Sequence, residues 1–173
     1  NNNAENQVID FSFFLHEIEQ TFKEKTKNSN AKIKFLFDPE LPNYIEADPK
    51  RLEKLLVVLQ KNLLNLYINS DVQVSVKAHY HKDFATLFFT CSALYAQENM
   101  PINAWLKKDI ANFSTSMALA VELIQVLKGS IKLTSVPNSD AVITVSLPIK
   151  VNYPKNTLEK SQNINTLQAN NKI

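Results

Sequence analysis

DPELPNYIEADPKRLEKLLVVLQKNLL, residues 38–64, is the most informative part of this sequence for its architecture. Its Asp48-Pro49 pair predicts a helix start, because aspartate at the N-cap accepts a backbone N–H and proline suits the first helical position. The helix is predicted to run to about Leu66. Leucines recur along one of its faces, at Leu52, Leu55, Leu56, Leu59, Leu63 and Leu66. That pattern is typical of a central core helix.

Upstream of this stretch, the sequence predicts a helix followed by a strand. Apolar residues between Phe11 and about Lys27 recur with i, i+3, i+4 and i+7 spacing, and either Asp10 or Ser12 can cap this helix. Residues 33–37 alternate in polarity, which predicts a strand. The polar residues 1–7 predict a disordered start.

Downstream, the sequence predicts a hairpin and then a long loop. The strands are expected near 72–76 and 84–91, with the loop HYHKD at 79–83 between them. Residues 92–112 lack clear periodicity and predict a long loop with a short helix near Trp105, a kind of loop that is often functional.

A third helix and a second hairpin follow. Ser114 or Ser116 is predicted to cap the helix, and Gly129 is predicted to end it at the C′ position. The hairpin is expected at 130–136 and 141–148. The order of elements predicts an α+β fold, a two-layer α/β sandwich with three main helices on one face of a mixed, mostly antiparallel sheet. We place this domain at 8–150 and expect 151–173 to be a flexible polar tail.

Composition excludes several classes of function. A net charge of +2, from 19 basic and 17 acidic residues, predicts no nucleic-acid partner and no membrane contact. No apolar run approaches the roughly 18 residues of a spanning helix. The single cysteine, Cys91, precludes an internal disulfide and favours the cytoplasm. Gly129 is the single glycine, whereas phosphate-binding loops are usually glycine-rich.

Residues 38–64 resemble the catalytic, ATP-binding domain of sensor histidine kinases, within the larger family of gyrase and Hsp90-type ATPases. The residues in step with that family's pattern are Asp48, Pro49, Arg51, Leu52, Leu56, Leu59 and Asn62. A second string, MALAVELIQVLKGSIKLTSVPNSDAVITVSLPI at 117–149, is similar to the family's last helix and closing hairpin. The resemblance covers about residues 8–150 and implies the Bergerat-type ATPase fold.

The resemblance also implies where nucleotide contacts would lie. Asn62 takes the position of the family's Mg²⁺-binding asparagine, while Asn65 replaces a basic residue. Where the family has an adenine-binding aspartate and two glycines, this chain has Cys91, Ala93 and Tyr95. Ser114 and Ser116 replace glycines of the phosphate loop.

These replacements lead us to expect a vestigial site. We predict no catalytic residue, no cofactor and no bound metal, with Asn62 the one retained metal candidate, and hence that the chain is not an enzyme. The lid region around Trp105 is expected to fold over the vacant pocket.

The three histidines offer two other hypotheses. His16 lies in a string similar to the phospho-accepting box of histidine kinases, but its place on the first helix favours a solvent-facing side chain. His79 and His81 share one face of a strand end near Cys91, so a zinc site is conceivable, although no fourth ligand is evident.

The function implied by the resemblance is that of a non-catalytic pseudo-kinase domain in two-component phosphorelay signalling. Such a domain is similar to the vestigial ATP domain of bacterial histidine phosphotransferases. The expected partner is a response-regulator receiver domain, a partner kinase or the chain's own upstream dimerisation helices. Two alternatives stay open: an active domain with divergent loops that uses Mg·ATP, and a structural domain unrelated to signalling.

Overall fold

The computed structural model describes residues 5–28, 32–66, 71–93, 110–134 and 142–153. Within these ranges the chain forms three α-helices and seven β-strands. In chain order they are β1 (Gln7–Asp10), α1 (Phe11–Thr26), β2 (Ile33–Phe37), β3 (Tyr44–Ala47), α2 (Pro49–Leu66), β4 (Val72–His81), β5 (Phe84–Ala93), α3 (Ile110–Val126), β6 (Ser130–Thr134) and β7 (Val142–Val151).

The strands form one sheet in the order β1-β3-β7-β5-β4-β2. β5 pairs along the length of β7, and β6 and β3 pair with different parts of that same strand. The β2–β4 pair is parallel, and the other pairs among the described strands are antiparallel. The predicted two-layer sandwich with a mixed, mostly antiparallel sheet is therefore confirmed.

The core lies between the helices and one face of the sheet. Alternate residues of the three central strands are buried there: Val72, Val74 and Val76 in β4, Ala85, Leu87, Phe89 and Cys91 in β5, and Ile143, Val145, Leu147, Ile149 and Val151 in β7. The helices contribute the buried side chains of Phe11, Leu15, Ile18, Phe22, Leu52, Leu55, Leu56, Leu59, Met117, Ala120, Leu123 and Ile124. The alternation in the sequence therefore marks the buried face correctly.

Aspartates cap the first two helices. The Asp10 carboxylate accepts a hydrogen bond from the Phe13 N–H at 3.0 Å, so Asp10 rather than Ser12 is the N-cap of α1. Asp48 is buried and accepts from the Arg51 N–H at 3.1 Å and from the Glu5 N–H at 3.2 Å. Asp48 thus caps α2 and also ties the segment before β1 to that helix.

The sequence pattern did not predict two short strands, β1 and β3. β1 and β3 pair antiparallel, with Gln7 opposite Ala47 and Asp10 opposite Tyr44. Four residues are too few for an alternating pattern to stand out, and pairing with strands distant in sequence satisfies their backbone groups.

Regular structure extends one residue past each end of the predicted 8–150 domain, since β1 includes Gln7 and β7 includes Val151. The Asn152 N–H still donates to the Tyr44 carbonyl oxygen at 3.0 Å. The rest of the predicted disordered start and polar tail lies outside the described residues, apart from residues 5, 6 and 153.

The connection between β4 and β5 is shorter than expected. β4 continues to His81, so the five-residue loop HYHKD is a two-residue turn at Lys82-Asp83. Lys82 has φ of 55°, which lies in the left-handed region that tight hairpin turns require. His79 and His81 are consequently strand residues.

The start of α3 also differs from the prediction. The helix begins at Ile110, so Ser114 and Ser116 lie inside it and neither is its N-cap. The sequence from 110 to 116 contains no glycine or proline that would stop the helix from starting earlier. The predicted short helix and lid around Trp105 lie outside the described residues.

The end of α3 is a Schellman motif. The Gly129 N–H donates to the Ile124 carbonyl at 2.8 Å, and the Lys128 N–H donates to the Gln125 carbonyl at 3.0 Å. Lys128, with φ of 58°, occupies the left-handed C′ position that was predicted for Gly129. Gly129 is required for a different reason: a Cβ there would lie 2.4 Å from the Ser146 carbonyl oxygen of β7.

Substitutions at these two neighbours are expected to act in opposite directions. Gly129→Ala should lower the free energy of unfolding by about 1–3 kcal/mol, because the added methyl group overlaps the backbone of β7. Lys128→Gly should raise it by about 1 kcal/mol, because glycine adopts the left-handed conformation without a Cβ penalty. Urea denaturation measures both. A stability loss in Lys128→Gly as large as that in Gly129→Ala would contradict this assignment.

Candidate functional site

The residues predicted to contact nucleotide lie on three elements of the structure. Asn62 and Asn65 are on α2, Cys91 and Ala93 are near the end of β5, and Ser114 and Ser116 are in the first two turns of α3. α2 and α3 pack against each other. Tyr95 lies outside the described residues. The predicted loss of nucleotide contacts at these positions stays a prediction.

Asn62 is a buried polar residue of α2, with 4% of its surface exposed. Its side-chain amide nitrogen Nδ2 donates a hydrogen bond to the Val58 carbonyl oxygen at 2.7 Å, one turn earlier in the helix. This bond orients the amide group. An amide oxygen is a ligand type that Mg²⁺ accepts, so Asn62 is chemically suited to the role that the sequence suggests.

Cys91 lies in the middle of the sheet, opposite Val74 of β4 and Ile143 of β7. Its side chain is buried on the helical side, with 3% of its surface exposed. Burial raises the pKa of the Cys91 thiol to about 12. The group is therefore a neutral thiol at physiological pH, with weak hydrogen-bonding capacity and no charge.

A small cavity of about 20 Å³ lies beside Cys91. Its lining comes from α1, α2 and the strands beneath them: Leu15, Ile18, Phe22, Ile33, Phe35, Leu56, Leu59, Gln60, Val74, Val76, Phe89 and Cys91. Ligand pockets generally enclose about 300–1,000 Å³. This space is a packing defect of the core, too small for a nucleotide base.

Gln60 is the residue of this region that sequence reasoning missed. It is 4% exposed, and its amide nitrogen Nε2 has no hydrogen-bond partner. The signal was present in the sequence, because Gln60 directly follows the apolar run LLVVL of α2 and lies one turn after Leu56. An unpaired buried amide is costly, so Gln60 is expected to lower the stability of the fold.

The zinc hypothesis fails on the geometry of the hairpin. Cys91 faces the helices, whereas His79 and His81 are exposed and belong to the opposite set of alternating residues in β4. Among the described residues, no group of three or more His, Cys, Asp or Glu side chains could hold a metal. His16 is exposed on α1, as expected, beside a shallow surface depression formed with Phe13 and Glu17.

No described helix is both long enough and apolar enough to cross a membrane. No family model matches the sequence, and no curated protein matches it either. Solved structures do match, among them those of the histidine kinases AdeS and ThkA.

AdeS of Acinetobacter baumannii is 14% identical over 87% of this chain and 70% of its own, with a TM-score of 0.59. The catalytic domain of ThkA is 17% identical over 83% of this chain and 95% of its own, with a TM-score of 0.59. ShkA, solved at full length with AMPPNP, is 13% identical over 88% of this chain and 33% of its own, with a TM-score of 0.62. ThkA has also been solved in complex with the response regulator TrrA, and that copy matches with a TM-score of 0.55.

The chain has the fold of a histidine kinase catalytic domain. The predicted Bergerat-type architecture is confirmed by these structures. The prediction that the chain is not an enzyme is wrong, because the structures that share its fold are catalytic domains of kinases. That prediction relied on loop substitutions, and part of those loops lies outside the described residues, so the degeneracy it needed is not shown.

The buried thiol makes stability depend on pH in the alkaline range. The pKa of Cys91 is about 12 in the folded chain against an ordinary value of 9.0, so the thiol keeps its proton up to a higher pH when the chain is folded. The contribution of this thiol to the free energy of unfolding is fully present below pH 9. It is lost as pH rises from about 9 to 12, by up to about 1.4 kcal/mol per pH unit. The free energies of unfolding of the wild type and Cys91→Ala, measured by urea denaturation, should converge over this range. Parallel pH profiles would contradict the assignment.

Replacing the unpaired amide should stabilise the histidine kinase fold. Gln60→Leu is expected to raise the free energy of unfolding by about 1–3 kcal/mol, because it removes a buried donor that has no acceptor. Gln20→Leu, at an exposed position of α1, is the matched control and should give no comparable gain. A lower urea midpoint for Gln60→Leu than for the wild type would show that the amide is satisfied.

Proposed function

We propose that this chain is the ATP-binding domain of a two-component signalling kinase and that it binds a Mg²⁺–nucleotide complex beside α2 and α3. The observation that carries the proposal is the buried amide of Asn62, held on α2 of a histidine kinase fold. This choice corresponds to the active alternative that the sequence left open, with divergent loops around a retained metal ligand.

Two features support a nucleotide in this region. Asn62 presents an amide group that is oriented by its bond to Val58, and amide oxygens are ligands that Mg²⁺ accepts. ShkA, whose fold this chain shares, was solved with the nucleotide analogue AMPPNP.

The neutral thiol of Cys91 sets the expected strength of binding. A buried thiol cannot replace a carboxylate as acceptor for an adenine amino group, and one lost hydrogen bond of this kind costs about 1–3 kcal/mol. We therefore expect an affinity roughly tenfold to 100-fold weaker than an aspartate at this position would provide. Metal and phosphate contacts then contribute most of the binding.

The partner that we propose is the receiver domain of a response regulator. ThkA was solved with such a protein, TrrA. The domain would act in the cytoplasm, where ATP is available, and its single buried cysteine suits a reducing compartment.

Thermal unfolding with Mg²⁺ and AMPPNP tests nucleotide binding, because a ligand that binds only the folded state raises the melting temperature. We expect a concentration-dependent increase that disappears when EDTA removes Mg²⁺. Asn62→Ala should abolish it, whereas Asn6→Ala, at an exposed position before β1, should retain it.

Asn62→Asp serves as a second variant, because it keeps the size of the side chain and a metal-binding oxygen. Circular dichroism confirms that each variant is folded. The proposal is overturned if saturating nucleotide leaves the melting temperature of the wild type unchanged, or if folded Asn62→Ala responds as the wild type does.

A further inference from the structure

The outer face of the sheet carries a pair of histidines that the proposed function does not use. His79 and His81 lie at the end of β4, opposite Thr86 and Phe84 of β5. Both are exposed, and their rings lie 4.9 Å apart between centroids with an interplanar angle of 10°. Neither imidazole has a hydrogen bond or an ion pair with any described residue, and each is in ring contact with the other.

The spacing of the two rings suits a shared metal ion. A metal–nitrogen bond of about 2.0–2.1 Å places a ring centroid about 3.2 Å from the metal, so two imidazoles bound at 90–109° have centroids about 4.5–5.2 Å apart. The observed 4.9 Å falls within this range. The near-parallel rings must rotate about χ2 to converge on the ion, and exposed side chains make such rotations within nanoseconds.

The strand holds the pair at this distance. Residues i and i+2 of a strand project from the same face, and the ladder with β5 runs through both His79 and His81 to the turn. The backbone spacing is therefore set before any metal binds, which reduces the entropy cost of forming the chelate. The cross-strand neighbours Thr86 and Phe84 carry no charge that would compete for the imidazoles.

We propose that His79 and His81 chelate one divalent transition-metal ion, with water molecules completing its coordination. Imidazole nitrogens suit copper, nickel and zinc, and the order of affinities places Cu²⁺ first. The site is separate from the nucleotide region, because the histidines lie on the face of the sheet away from Cys91 and the helices.

The chain provides its own control, since it has three histidines and the third, His16, is exposed on α1. Titration of the whole chain with Cu²⁺, followed by calorimetry, is expected to show one saturable site. His79→Gln and His81→Gln should each weaken binding by about tenfold or more, equivalent to at least 1.4 kcal/mol. His16→Gln should leave the affinity unchanged.

Electron paramagnetic resonance provides a second readout, because nitrogen couplings from two imidazoles appear in the Cu²⁺ spectrum of the wild type and should be reduced in each single variant. All three substitutions are at exposed positions, so the variants are expected to fold. Absence of saturable binding overturns the proposal, and so does binding that persists in the double variant of His79 and His81. The titration contains no nucleotide, so its outcome is independent of the proposed function.

Discussion

The leucine face of α2 is buried in the core between the helices and the sheet, and this packing organises the helical layer. Leu52, Leu55 and Leu59 are at most 3% exposed, and each such side chain contributes about 1.5–3 kcal/mol on burial. α2 also contacts α1 and α3, so its position determines how the helical layer lies on the sheet. Asp48 sets where this helix begins and, through Glu5, connects it to the start of the chain. Asn62 is buried as a consequence of the same packing.

The core beside α2 includes two uncharged polar groups that face the small cavity, the thiol of Cys91 and the amide of Gln60. The thiol of Cys91 is tolerated because it remains protonated and behaves as a small apolar group. The amide of Gln60 cannot lose its polarity, and its unpaired nitrogen lies next to a small unfilled space. Under the function that we propose, the neutral thiol leaves ligand recognition mainly to the metal and the phosphates.

The two faces of the sheet carry different polar side chains, with the Cys91 thiol on one face and the imidazoles of His79 and His81 on the other. Alternation along β4 and β5 directs Val74 and Cys91 towards the helices, and it directs His79 and His81 to the exposed face. A change of register by one residue would exchange the two sets, so the turn at Lys82-Asp83 is what maintains the separation. A polar imidazole pair and a buried thiol can therefore occur in the same hairpin without contact.

Local capping and periodicity were enough to predict the helices at Phe11 and Pro49, the strand at Ile33 and the burial of alternate strand residues. The substitutions at positions where the resemblance implies nucleotide contacts did not determine catalytic status, since a scaffold can be retained while loops diverge. Three other features became apparent only in the folded chain: the β1–β3 pairing, the helical placement of Ser114 and Ser116, and the stacking of the two histidines. These features depend on partners distant in sequence or on how far an element continues, and no local pattern records either.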